Sequence, residues 1–330
     1  MKRSSSWSNP IGSCAPVHVC RQPSTALLIL ILFCHLMAAC SSPSSIPTQF
    51  DAIERMPVHT VLVHGQRIAY LDVGAGPPVI LIHGFGGSMW QWEYQQHQLS
   101  QHFRVLTLDL PGAGLSDKPD IEYRPDQMLN FLVGFMDAVK IPQATLVGNS
   151  MGAGLAIGMA LEHPAYVARL VLVGGLPQHV IEKLTSPSIK RALNTSAPSW
   201  FISFGNRLFG GLMIESVLRE MVHDPALLTP AILERADRNR QRPGLIKPMM
   251  TVRENLPLWE SGFATRLGTI IHPTLVLWGE EDRVFPITVG EDLHRTIKGS
   301  QFVRVPKAGH LPQWERPDVV NQALISFIRP

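Results

Sequence analysis

Beyond residue 40 the chain has no cysteine: Cys14, Cys20, Cys34 and Cys40 are all that its 330 residues contain. A disulfide framework and thiolate metal sites are therefore excluded from the part long enough to bury a core. An excess of one charge is lacking too. The net +3 comes from Lys2, Arg3 and Arg21, and the 26 acidic residues, all beyond residue 50, are matched one for one by Lys and Arg after residue 40. Nothing in that balance recruits nucleic acid or another polyanion. No HExxH is present, no His/Asp cluster stands at metal-ligand spacing, and neither GxGxxG nor GxxxxGK[ST] is completed. No metal, nucleotide or other cofactor is expected. Internal repeats are absent, and the only low-complexity stretch is the polar 41–49. The apolar run ALLILILFCHLMAA (26–39) has 14 residues, short for a membrane span.

That run has the context of an export signal. A basic, serine-rich start precedes it, Cys40 closes it, and the polar SSPSSIPTQ follows. Apolar and small residues directly before a cysteine resemble the lipobox of bacterial lipoproteins, although Met37 is unusual three positions before it. The resemblance implies lipidation of Cys40, which would become the mature N-terminus and attach the protein to a membrane, on the periplasmic or outer-membrane face. The expected division is a lipoprotein-type export signal over 1–40 and a linker over 41–57.

The rest alternates. HTVLVHG and QRIAYLDVG flank a turn signal and read as a hairpin. Short apolar runs then recur at 77–84, 103–110, 144–149, 169–175, 273–279 and 301–306. Most are apolar on both faces, as strands covered by helices on both sides require. Between them, RPDQMLNFLVGFMDAV has apolar residues at helical spacing. The fold class predicted is α/β, a mostly parallel central sheet flanked by helices, with its core in 58–175 and 267–330. From 176 to 266 the alternation stops, helical pieces such as SVLREMVH and TPAILERADRNR take over, and no clear strand is found. A helical cap over the sheet's carboxyl edge is expected there. Most of its large apolar residues (Trp200, Phe201, Phe204, Phe209, Met213, Met221, Met249, Met250 and Trp259) are expected in the cap's own core, with a minority lining a pocket.

Ser150 follows ATLVGN directly and precedes the helix-forming GAGLAIGMALEH, with Gly148 and Gly152 on either side. A serine in such a strand–turn–helix has its Oγ exposed beside a helix N-terminus, and it needs a base. His163, His223 and His294 have helix-end or surface contexts, His179 lies in the insertion, and His272 precedes a strand at the opposite sheet end. His310 follows the last strand by a short loop, which places it at the carboxyl edge beside Ser150. The acid to orient it should come from GEED after the 273–279 strand: Asp282 is favoured and Glu281 is the alternative. The backbone N–H of Met151 and, from HGFGGS, that of Phe85 are the candidate oxyanion donors.

Together HGFGGS (83–88), DLPGAGLSD (109–117), GNSMG (148–152), WGEEDRVFP (278–286) and AGHLPQWERP (308–317) resemble the α/β-hydrolase superfamily from about residue 58 to the C-terminus. The resemblance implies a Ser150–Asp282–His310 triad in that fold's order, an oxyanion hole at Phe85 and Met151, and a cap over 176–266. Haloalkane dehalogenases and epoxide hydrolases have Asp where Ser150 stands. The elbow and the acid turn look like those of the meta-cleavage-product hydrolases, which cleave carbon–carbon bonds in vinylogous diketones, but Leu311 stands where those usually have Trp. Cleavage of small to medium or lipid-derived carboxylic esters through an acyl-enzyme on Ser150 is the expected function. The alternatives are carbon–carbon hydrolysis and, with an intact triad arguing against it, a non-catalytic binding protein.

Overall fold

In the computed structural model, which describes residues 56–175, 180–194 and 197–329, the apolar runs become strands of one sheet. The expected export signal, Cys40 and nearly all of the linker lie outside those residues. β1 (His59–Val63) and β2 (Gln66–Val73) form the antiparallel hairpin. Its turn holds His64 and Gly65 at positive φ, 49° and 78°, the two-residue geometry whose twist suits a hairpin. There follow β3 (Pro78–Ile82), α1 (Glu93–Ser100), β4 (Arg104–Leu108), α2 (Pro125–Ala138), β5 (Ala144–Asn149), α3 (Met151–Glu162) and β6 (Val167–Val173). The strand order is β1-β2-β4-β3-β5-β6-β7-β8, with β7 (Thr274–Gly279) and β8 (Gln301–Val305) completing eight strands. From β4 to β8 every pairing is parallel. The turns after β3, β4, β5, β7 and β8 therefore gather at one carboxyl edge.

Alternate residues of each strand enter opposite cores. Ile80, Ile82, Leu146 and Leu172 pack with α2 and α3 on one face. Val79, Leu81, Val147 and Val173 pack on the other, with Leu99 of α1 and with residues that follow β8. That is the physical reason these strands read as unbroken apolar runs.

Between β6 and β7 the described residues are helical: α4 (Val180–Lys183), α5 (Pro187–Asn194), α6 (Ser199–Met221), α7 (Pro230–Arg240), α8 (Ile246–Glu254) and α9 (Leu256–Phe263). After β7 come α10 (Ile287–Thr296), α11 (Pro312–Glu315) and α12 (Pro317–Ile328). SVLREMVH proves to be only the end of α6, a helix of 23 residues. The expected burial of the cap's apolar residues is corrected more sharply. Trp259 is buried, but Trp200, Phe201, Phe204 and Phe209 are each more than half exposed, and Met213 is 49% exposed. The cause is layering. The rest of the cap meets α6 at Gly210, which lies against Arg240, and towards its C-terminal end at Leu218, in a cluster with Ile232 and Ala236 of α7. No second layer covers the outer side of α6 among the described residues.

Candidate active site

Ser150 sits between β5 and α3 at φ 54° and ψ −116°, a left-handed backbone that a non-glycine residue adopts only under constraint. The constraint is visible. Its N–H donates to the Val173 carbonyl at 2.9 Å, and its own carbonyl accepts from Ala153 at 2.9 Å. The flanking glycines are there because no Cβ fits: one on Gly148 would overlap the Gly152 backbone, and one on Gly152 would come 2.8 Å from the His83 carbonyl oxygen. The turn is thus wedged between two strands.

His310 follows β8 and is 2% exposed. Its N–H donates to the Met221 carbonyl at the end of α6, 2.7 Å away, and its carbonyl accepts from Asn149 Nδ2 at 3.2 Å. That second bond ties the histidine to the residue before Ser150. Nδ1 lies 2.9 Å from Asp282 Oδ2, and the other oxygen of that carboxylate accepts from the Val284 and Phe285 amides at 2.7 and 2.9 Å. Asp282 is thereby fixed with one oxygen free for the imidazole N–H, which leaves Nε2 as the basic atom. Glu281 does not compete, because its Oε2 accepts from the Ala308 N–H at 3.0 Å. The structure brings Asp282 and His310 into contact. Ser150 follows Asn149, whose Nδ2 holds the His310 carbonyl, and its Oγ has no hydrogen bond among the described residues; such contacts tighten in reacting complexes.

Phe85 follows Gly84 in a turn that touches Ser150, and Met151 follows Ser150 directly. A Cβ on Gly84 would lie 3.2 Å from Ser150 Cβ, so the HGFGGS turn lies against the elbow. Among the described residues the Phe85 and Met151 N–H groups have no acceptor, whereas Gly84 donates to Gln91 Oε1 at 3.1 Å and Gly87 to the Gly84 carbonyl at 3.1 Å. Met151 opens α3, so its amide is one of the helix's unpaired donors. His83 braces the turn. Its Nε2 accepts from the Leu110 N–H at 3.0 Å while Nδ1 donates to the Gly84 carbonyl at 2.8 Å. Burial holds its pKa below the ordinary value, consistent with a neutral ring in that tautomer. Asp109 does the same for the next turn, accepting from Met89 and Leu115 at 2.7 and 2.6 Å.

The remaining histidines are elsewhere or otherwise engaged. His163 ends α3, His272 faces the Pro164 carbonyl at 3.1 Å, and His294 stacks on Phe302. His179 lies outside the described residues. His223, set aside in the sequence as a helix-end residue, does follow α6, but there it meets the His310 loop through Glu315. Its N–H donates to Glu315 Oε2 at 2.6 Å, and Glu315 Oε1 accepts from Gly309 at 2.7 Å. Glu315 therefore joins the segment after α6 to the residue before His310. Burial pushes its carboxyl up to about 7, against the pull of the Gly309, His223 and Asp224 amides and with help from the Asp282 charge. Sequence reasoning missed it, although it stands in the quoted AGHLPQWERP.

The cap reaches the site from above. Met249 of α8 is 3.4 Å from where a Cβ on Gly86 would be, and Pro248 lies against Gly112. A buried ion pair fastens α7 to the core: Arg235 Nη1 is 3.1 Å from Glu93 Oε2, with both side chains under a tenth exposed. Trp314 Nε1 donates to Glu93 Oε1 at 3.0 Å, and the Arg235 guanidinium lies 5.4 Å from the centre of the Trp90 ring. Among the described residues, no group of three His, Cys, Asp or Glu side chains is placed to hold a metal.

Comparison with known proteins agrees with this fold. The family model described as the alpha/beta hydrolase fold matches residues 77–317. A Comamonas testosteroni protein named 2-hydroxy-6-oxononadienedioate/2-hydroxy-6-oxononatrienedioate hydrolase is 30% identical over 79% of this chain and 91% of its own length. The solved meta-cleavage product hydrolase from Pseudomonas fluorescens superposes with a TM-score of 0.71 at 26% identity, covering 82% of this chain and 96% of that one. A bacterial membrane phospholipase A superposes with a TM-score of 0.69 at 26% identity, covering 92% and 97%. The first two of these likenesses move the balance of the sequence expectation from the ester toward its carbon–carbon alternative.

Proposed function

We propose, for a chain that belongs to the α/β-hydrolase family, that the reaction is hydrolysis of a carbon–carbon bond beside a ketone in a vinylogous diketone, with Ser150 as nucleophile. The observation that carries this reading is the 30% identity, over 79% of the chain, to a hydrolase named for a 2-hydroxy-6-oxo dienoic substrate. The arrangement of donors and base supports each step. His310 Nε2 takes the Ser150 proton as Oγ attacks the ketone, and the Phe85 and Met151 amides receive the oxyanion. Collapse breaks the carbon–carbon bond. Its electron pair enters the conjugated enone, and the imidazolium returns the proton to the dienolate so formed. Water, deprotonated by His310, then attacks the acyl group on Ser150 and releases a carboxylic acid.

A second reading replaces the departing carbon with an alcohol oxygen, giving a carboxylesterase with the same residues in the same roles. Leu311 favours it, standing where the meta-cleavage-product hydrolases usually have Trp, and so does the likeness to a membrane phospholipase A over 92% of this chain. Export and lipidation at Cys40 belong to the proposal too. They fit the ester reading better, since ring-cleavage catabolism is intracellular. Fatty-acid labelling of the whole chain should be lost in Cys40→Ala; a label that persists overturns it.

The test of the chemistry compares the purified protein on a 2-hydroxy-6-oxo-dienoate and on p-nitrophenyl acetate and butyrate. Faster turnover of the dienoate is expected. An ester preferred by orders of magnitude would move the assignment to the second reading. No turnover of either, with no fluorophosphonate labelling of Ser150, would remove the enzyme altogether.

A further inference from the structure

Six large apolar side chains stand in solvent along the outer side of α6. Trp200, Phe201, Phe204, Leu208, Phe209 and Leu212 are between 54 and 73% exposed. Trp200, Phe204, Leu208 and Leu212 follow one another at i, i+4 spacing, so they form a single row, with Phe201 and Phe209 beside it. Scattered exposed apolar residues are ordinary, but a continuous stripe of this kind marks a surface that meets something. Its charge narrows the choice. From Pro187 to Ile214 the sequence contains Lys190, Arg191 and Arg207 and no acidic residue, whereas the chain beyond residue 40 is balanced overall; the two carboxylates later in α6, Glu215 and Glu220, are bonded to Arg219 and to Ser186 and Ser188. Lys190 and Arg207 are exposed. A second copy of the same face would set like charges against one another; an anionic lipid surface answers both the cations and the apolar row.

We propose that the outer face of α6 docks into the head-group region of an anionic phospholipid bilayer, its aromatic row among the acyl chains and Lys190 and Arg207 on the phosphates. Aromatic and leucine side chains on one face with cations alongside are the composition of helices that lie in that region. The docking rests on the membrane attachment proposed above for its reach. Residues 41–55, at up to about 3.5 Å each, span at most roughly 50 Å from Cys40 to the first described strand region. The body is thereby held close enough for α6 to find the same surface. The docked helix also leads to the chemistry, because its last residue, Met221, accepts the His310 N–H at 2.7 Å.

The test uses the full chain with phosphatidylethanolamine–phosphatidylglycerol vesicles whose acyl chains are brominated. The Trp200 signal is the fluorescence of the wild type minus that of Trp200→Phe, and bromine should quench it about twofold or more. Phe204→Ser with Phe209→Ser should abolish that quenching while leaving the unfolding midpoint unchanged. Flotation of the wild type and of Cys40→Ala with the vesicles reads the attachment separately. A protein that floats with Trp200 unquenched overturns the docking and leaves the attachment standing; one that does not float overturns both. If cross-linking in solution gives a dimer that the double serine variant abolishes, a second copy covers the face and the bilayer proposal falls.

Discussion

The carboxyl edge of the sheet and the outer side of α6 treat their side chains in opposite ways. At the edge, His310 is fixed at both backbone groups and at Nδ1, and every oxygen of Asp282 has a donor. On α6, six large side chains have solvent on most of their surface. A reacting charge needs dipoles aimed before it forms, so the edge fixes its histidine and acid by hydrogen bonds. A surface that meets an irregular partner needs area rather than exact geometry, and apolar side chains with free rotamers supply it. One helix has an end in each regime, since α6 delivers Met221 to the histidine.

The largest losses are expected at the sheet edge. Ser150→Ala should cut kcat by at least roughly 10⁴-fold on whichever substrate is turned over, with KM nearly unchanged, because the nucleophile acts in the transition state. Asp282→Asn should lose roughly 10³-fold, since an amide offers the imidazole no charge and permits the wrong tautomer. Steady-state kinetics on both variants reads these effects. Wild-type turnover by Ser150→Ala would remove the assignment of the nucleophile.

How far the sequence revealed this edge follows from what each part depends on. The strands were legible because burial on both faces leaves runs such as VILI and TLVLW with no polar interruption. Ser150, Asp282 and His310 were legible because each sits a fixed few residues past a strand, so chain position implies the sheet edge. Glu315 was not, because its role arises where Gly309 and His223, distant in sequence, aim their amides at one carboxylate. The exposure of Trp200, Phe201 and Phe204 was hidden as well: a helix row looks the same whether another layer covers it or not. The full length of α6 was obscured by Gly205, Gly210 and Gly211, each costing a helix about 1 kcal/mol relative to alanine. At Gly210 the Arg240 guanidinium fills the place a Cβ would take.

A smaller effect is expected where the cap is fastened to the core. Arg235→Met removes the guanidinium from a Glu93 carboxylate that is only 6% exposed. A buried charge stripped of its counter-ion should cost about 3–5 kcal/mol of stability, read as a lower midpoint in urea. Adding Glu93→Gln should recover much of the loss, because the amide needs no counter-ion and can still accept from Trp314 Nε1. If the double variant is no better than Arg235→Met, the loss comes from packing on Trp90 and not from charge.

The smallest and most informative change is at Glu315, where stability and activity should move in opposite directions with pH. Its carboxyl is raised from 4.5 to about 7 by burial, so the folded chain holds a proton that the unfolded chain has already lost. The stability this contributes is complete below about 4.5 and is lost as pH rises through about 7. Activity should follow the ionised form, because only a carboxylate accepts the Gly309 and His223 amides with both oxygens and so holds the His310 loop. Glu315→Gln has one acceptor and one donor, and it should behave like the slackened form at every pH. Its kcat should be about tenfold below wild type in alkaline solution, a loss of roughly 1.4 kcal/mol, and closer to it in acid. Its unfolding midpoint should lose the decline that the wild type shows between about pH 5 and 7. A rate ratio that does not change with pH would mean that Glu315 only fills space between α6 and the histidine loop.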